Sequence, residues 1–204
     1  MKLEDGTIIY SPEDVCAQWG EYFKSLYTPR ENDSHNRQFK QYVENQLGSM
    51  SEESHSCIDI ILGTDIDKYE VNRVINELKM KKAPGFDQIT SEHIKYGGER
   101  LVTCLTKLFN IINQHEYIPT DFKIGIIIPI PKGSKNRLYQ DNHRGITLLP
   151  TIAKMYEKII YHRMLSWARN KKMIHRLQGA EREKCSSLNT AWLIREAIGS
   201  TRSE

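Results

Sequence analysis

Residues 123–158 limit the fold more than any other part of the chain. They read Lys-Ile-Gly-Ile-Ile-Ile-Pro-Ile-Pro-Lys up to Lys132, then a polar loop to Asp141. Asn-His-Arg-Gly-Ile-Thr-Leu-Leu follows from Asn142, then Pro-Thr-Ile-Ala-Lys-Met-Tyr-Glu-Lys. Ile124, Ile126, Ile128 and Ile130 recur at every second position, the period of a strand with one buried face. Pro129 and Pro131 have no N–H to give to a ladder, which places this strand at a sheet edge or ends it there. The polar run 133–141 then predicts an antiparallel β-hairpin with a charged loop. Lys132 stands at the loop end of the first strand and Arg144 at that of the second, so two cations flank one turn.

Charge is distributed in the same sense. Residues 1–122 carry 13 Lys/Arg against 20 Asp/Glu (−7) and residues 123–204 carry 16 against 6 (+10), which together give the net +3. A basic second half points to a polyanionic partner, nucleic acid first, although a Lys-rich solvated helix surface would give the same count. The 204 residues can bury a sizeable core. No apolar run approaches the length of a membrane span and no signal-peptide pattern follows Met1, so a nuclear or cytoplasmic protein is expected. Cys16, Cys57, Cys104 and Cys185 form no CxxC pair, which favours reduced, mostly buried thiols over zinc or disulfides.

The remaining elements read as helices. Asp5-Gly6 marks a tight turn, and Ser11-Pro12-Glu13-Asp14 starts a helix that runs to about Tyr27 with Val15, Trp19, Tyr22/Phe23 and Leu26 on one stripe. These aromatics read as core rather than as a base-stacking platform. Residues 28–56 are polar and read as a flexible linker, with room for a short helix over 39–47. Asp67 and Glu70 have capping-box spacing ahead of Val71, Val74/Ile75 and Leu78, so Asp65 and Asp67 are cap residues rather than a metal pair. That helix is expected to end near Lys82, where Ala83-Pro84-Gly85 bends the chain. Ser91 caps a short helix, and Leu101, Leu105, Leu108 and Ile112 mark a longer one. After the hairpin, Ile152, Met155/Tyr156, Ile159 and Leu165/Trp167 line a helix whose other face carries Lys154, Lys158, Arg163 and Arg169. Leu188, Trp192 and Ile198 mark a last helix.

Several of these segments, in this order, resemble the reverse transcriptase of non-LTR (LINE-like) retrotransposons. Lys82-Ala-Pro-Gly-Phe-Asp87 is similar to the family's Lys-Ala-Pro-Gly-x-Asp turn. Ile128-Pro-Ile-Pro-Lys-Gly133 and Asn142-His-Arg-Gly-Ile-Thr-Leu-Leu149 are similar to its two fingers motifs, and 154–163 with Gln178-Gly179 continues the pattern. Glu21-Tyr-Phe-Lys-Ser-Leu-Tyr27 resembles the stretch between an upstream endonuclease and the polymerase. The resemblance covers nearly the whole chain. It implies an α+β fold, mostly helical, with a fingers-type antiparallel hairpin inside an incomplete right-hand polymerase. A helical segment (1–27) and the linker (28–56) would precede a partial polymerase domain (57–204) holding the fingers and the start of the palm.

The resemblance also assigns residues. Lys132 and Arg144 would contact the triphosphate of an incoming nucleotide, where cations stabilise charge on the transferring group. Lys135, Arg137, Lys154 and Arg182 would contact template or backbone, with Lys135 and Arg137 equally readable as plain loop residues. Partners implied are an RNA template, a DNA primer and deoxynucleoside triphosphates, with an upstream endonuclease in the parent protein and no membrane. Two departures stand out: Phe86 replaces a common proline, and Ala180-Glu181-Arg182 replaces Gly-Phe-Arg. The full-length enzyme would use Mg²⁺ held by two aspartate motifs. This sequence has no Asp-Asp dipeptide and no aspartate after Asp141, so it is expected to bind no metal and not to polymerise alone. The alternatives are a non-catalytic nucleic-acid-binding module derived from such an element, or a helical protein-interaction domain.

Overall fold

The computed structural model describes residues 1–3, 6–29, 37–53, 63–174 and 186–201. The chain divides into two compact units, Met1–Ile159 and Ile160–Glu204. Its class is α+β: mostly helical, with one two-stranded antiparallel sheet among the described residues.

In the first unit, Lys2 and Ile8 form an isolated antiparallel bridge around Gly6, whose φ is +91°. Helix α1 (Pro12–Tyr27) starts as expected, with the Ser11 hydroxyl accepting from the Asp14 N–H and Pro12 at the first helical position. Helix α2 (Arg37–Glu53) is longer than the short helix read at 39–47 and occupies much of the stretch read as a linker. Helix α3 (Lys68–Glu77) carries the full capping box: the Asp67 carboxylate accepts from the Glu70 N–H, and the Glu70 carboxylate accepts from the Asp67 N–H. It ends at Glu77, five residues before the expected Lys82, because Leu78 turns to extended backbone and Lys81 takes a left-handed φ of +57°. Lys79, Lys81 and Lys82 therefore lie beyond the helix and not in its last turn.

Short α4 (Ser91–Lys95) is capped one residue earlier than expected, by Thr90. It leads into α5 (Gly98–His115), whose buried stripe is Val102, Leu105, Phe109 and Ile112. Leu101 and Leu108, read as the core face, lie at its partly buried margin. The core gathers Ile66, Val71, Val74, Ile75, Ile94, the α5 stripe, Met155 and Ile159. Polar side chains pin its edges. Asn110 donates to the Ile66 carbonyl (2.8 Å) and accepts from the Ile66 N–H (2.7 Å), and the Tyr156 hydroxyl donates to the Asn113 side chain (2.6 Å).

Strands β1 (Ile126–Pro131) and β2 (His143–Leu148) form the expected hairpin, pairing Ile126 with Leu148, Ile128 with Ile146 and Ile130 with Arg144. With two strands, both are edges, which is where Pro129 and Pro131 are tolerated. One expectation is reversed. The face of Ile124, Ile126, Ile128 and Ile130 is exposed (37–47%), whereas Ile127, Pro129 and Pro131 are half-buried. The cause is α1, which packs against the opposite face: a Cβ on Gly145 would stand 2.7 Å from Phe23 Cε1 and 3.1 Å from Ile127 Cγ2.

The hairpin leaves through Leu149-Pro150 into α6 (Thr151–Asn170), and here the Lys82–Asp87 turn is decisive. Gly85 is buried so close to the next backbone that a Cβ would lie 2.6 Å from Pro150 N and 2.8 Å from Leu149 C. The Thr151 hydroxyl donates to the Ile89 carbonyl (2.6 Å), closing the same junction. Lys158 on α6 pairs with Glu77 (2.9 Å).

The second unit holds the C-terminal part of α6 and helix α7 (Ser187–Thr201). Arg163, read as part of the basic outer face, is 7% exposed. It follows Met155 and Ile159 at four-residue spacing, so it lies on their stripe of the helix. Leu188, Trp192 and Ile198 on α7 are exposed. Cys16 and Cys104 are free but exposed, contrary to the buried thiols expected, while Cys57 and Cys185 lie outside the described residues.

Candidate functional site

Strand pairing decides which cations can act together. Arg144 lies directly opposite Ile130, so the two share a face of the hairpin with Ile126, Ile128 and Ile146. The Lys132 N–H donates to the Asn142 carbonyl (2.7 Å) and extends the ladder past Pro131. Two residues beyond Ile130, Lys132 comes to the same face as Arg144 by alternation. The hairpin thus presents an exposed apolar row that ends in two cations.

The two cations are held differently. Lys132 is half-buried, and its Nζ donates to the Asp141 carbonyl (2.7 Å), closing the loop across its base. Arg144 is exposed and pairs with no acid among the described residues. Arg is also the better grip for phosphate, since its planar guanidinium can donate two parallel hydrogen bonds.

The loop between them has internal order. Asn136 Oδ1 accepts from the Leu138 N–H (2.9 Å), its carbonyl accepts from Asn142 Nδ2 (2.9 Å), and the Lys135 N–H donates to the Lys132 carbonyl (3.2 Å). This leaves Lys135 and Arg137 exposed at the loop tip. Asp141, the loop's acid, is engaged by Tyr22 of α1. Burial first, then the hydrogen bond and charge of Asp141, push the Tyr22 phenol up from its ordinary value. Lys154 stands on α6, half-buried, its N–H donating to the Pro150 carbonyl (3.1 Å). Arg182 and Gln178-Gly179 lie outside the described residues.

Some contributors escaped the sequence reading. Trp19 meets His143 edge-on (ring centroids 4.9 Å apart), Gln140 Nε2 donates to the Gln18 carbonyl (2.9 Å), and the Lys2 N–H donates to the Leu138 carbonyl (2.9 Å). The aromatic stripe of α1 signalled a buried face, but nothing in it named the hairpin as its partner. An open groove between α1 and the loop is lined by Gln18, Tyr22, Tyr27, Gln140 and Asp141, with no cation among its described lining residues. Among the described residues no three His, Cys, Asp or Glu side chains gather as a metal site, and no helix is long and apolar enough to cross a membrane.

No family model matches the chain. A probable RNA-directed DNA polymerase from transposon X-element of Drosophila melanogaster is 35% identical over 103 residues, half of this chain and 11% of that protein. The RNA-directed DNA polymerase from mobile element jockey of Drosophila funebris is 35% identical over 97 residues, 48% of this chain and 11% of that protein. A putative 115 kDa protein in type-1 retrotransposable element R1DM of Drosophila melanogaster is 28% identical over 100 residues. The matched stretch spans about a tenth of the length of these relatives. Over about half of its own length, the chain is thus similar to a segment of the RNA-directed DNA polymerases of non-LTR retrotransposons.

Proposed function

We propose that this chain supplies the fingers contacts of an RNA-directed DNA polymerase of a non-LTR retrotransposon, within a reverse-transcriptase-like fold whose polymerase portion occupies residues 57–204. Arg144, with Lys132 beside it, grips the triphosphate of an incoming nucleotide. Lys135, Arg137 and Lys154 contact the phosphates of an RNA template or DNA primer, and Arg182 adds a further template contact. The observation that supports this reading is that half-buried Lys132 and exposed Arg144 fall on one face at one end of the hairpin. A nuclear or cytoplasmic site of action, and an upstream endonuclease in the parent protein, belong to the same reading. The Mg²⁺ of such a polymerase would be held by aspartate motifs. The sequence has no Asp-Asp dipeptide and among the described residues no three His, Cys, Asp or Glu side chains gather, so no residue of this chain is assigned to that metal.

The two kinds of cation separate by titrating the chain with a deoxynucleoside triphosphate. Losing a hydrogen bond to a charged group costs about 1.5–3 kcal/mol, so Arg144→Ala weakens binding roughly tenfold or more. Lys135→Ala, at the loop tip, changes it less than about threefold. Equal losses would sink the assignment.

A further inference from the structure

Arg144 stands on a strand whose backbone is held from the far side by α1. Its two sequence neighbours make the contact. His143 meets the Trp19 ring edge-on at 4.9 Å, and Gly145 lies where only the absence of a side chain lets the Phe23 ring approach, 2.7 Å from the place a Cβ would take. Phe23 is 6% exposed and packed between Trp19 (5.6 Å) and Tyr27 (6.0 Å), so it cannot swing aside freely. A polar tie holds the same approach: Gln140 Nε2 donates to the Gln18 carbonyl (2.9 Å). Successive strand residues point to opposite faces. Positions 143 and 145 therefore turn toward α1 while Arg144 turns away from it. A two-stranded hairpin alone is marginal in water, and the Ile126–Ile130 face of this one is open to solvent.

We propose that α1 is a positioning element of the hairpin: Trp19 and Phe23 fix the backbone on either side of Arg144, and through it set the cation toward its phosphate partner without touching that partner. The functional half of this inference rests on the nucleotide-gripping reading above.

The test uses the full chain with Phe23→Ala and Phe23→Leu. Amide hydrogen exchange is compared over residues 143–148 and, as a control, over the buried stripe of α5. Phe23→Ala is expected to speed exchange in the hairpin about tenfold or more while leaving α5 unchanged, and Phe23→Leu to restore most of the protection. In titrations with a deoxynucleoside triphosphate, Phe23→Ala is expected to weaken binding about tenfold when Arg144 is present and to add nothing once Arg144→Ala has been made. Unchanged hairpin exchange, or equal acceleration in α5, overturns the brace. Additive losses in the double variant overturn the positioning of Arg144. If the unaltered chain binds no triphosphate, the nucleotide reading fails while the exchange comparison still decides the brace.

Discussion

Gly85→Ala tests the junction that carries the hairpin onto the core. The added Cβ would lie 2.6 Å from Pro150 N, 2.8 Å from Leu149 C and 2.9 Å from Pro150 Cα. Carbon contacts settle at about 3.5–4.0 Å, so the Leu149–Pro150 backbone must retreat by roughly 1 Å. That backbone cannot move alone, because Thr151 holds the Ile89 carbonyl and begins α6. Overpacking of this kind costs about 1–3 kcal/mol. Alanine returns about 0.4–1 kcal/mol by restricting the unfolded chain, and overpacking against backbone outweighs that. A net loss of about 1–2 kcal/mol corresponds to a fall in Tm of about 2–8 °C for a unit of this size. Thermal unfolding followed by circular dichroism measures it. Gly20→Ala is the control with the opposite sign. Gly20 lies mid-helix in α1 with nothing within 4 Å of its missing Cβ, so alanine there should raise stability by up to about 1 kcal/mol. A Gly85→Ala chain as stable as the parent would refute the claimed close approach of the two backbones.

Two further outcomes follow from single groups. The N–H of Lys81, the largest cause, holds the Glu92 carboxyl below its ordinary value. A depressed carboxyl contributes stability above the ordinary carboxylate pKa and loses it as pH falls through the lowered one. Glu92→Gln should therefore flatten the acid limb of a stability–pH curve and leave its alkaline limb alone, and an unchanged acid limb would exclude that role. Primer extension by this chain with Mg²⁺ and all four deoxynucleotides should give no product, given the absence of an Asp-Asp pair. Robust extension would show that its residues assemble a catalytic centre after all.

Local signals were the most legible part of the sequence. Ser11-Pro12 and the Asp67/Glu70 box start helices where they should, because caps are made by residues three positions apart. The hairpin also followed from its own residues, since strand period and loop polarity are local. The face it buries did not. Alternating isoleucines show that a strand has two unlike faces, but the covered one is chosen by tertiary contact, and Phe23 lies 122 residues from Gly145. A glycine on β2 and an aromatic stripe on α1 were both visible, yet nothing local joined them. Arg163 was misplaced for a related reason: charge suggested solvent, whereas four-residue spacing from Met155 and Ile159 had already put it on the buried stripe. At the candidate site, Arg144 could be read from its motif. The closure of the loop by Lys132 on the Asp141 carbonyl depends on a backbone path that the sequence does not display.

If this chain's cations meet the phosphates of a primer–template, its binding must weaken steeply as salt rises. Each duplex phosphate neutralised contributes a slope of about −0.9 in log K against log salt. Contacts from Lys135, Arg137 and Lys154 alone would then cost roughly 40-fold in affinity between 50 and 200 mM salt. An RNA–DNA primer–template titrated over that range should show at least this loss, and Lys135→Ala should make the slope shallower by about one unit. Binding that is absent at low salt, or indifferent to salt, would rule out these phosphate contacts.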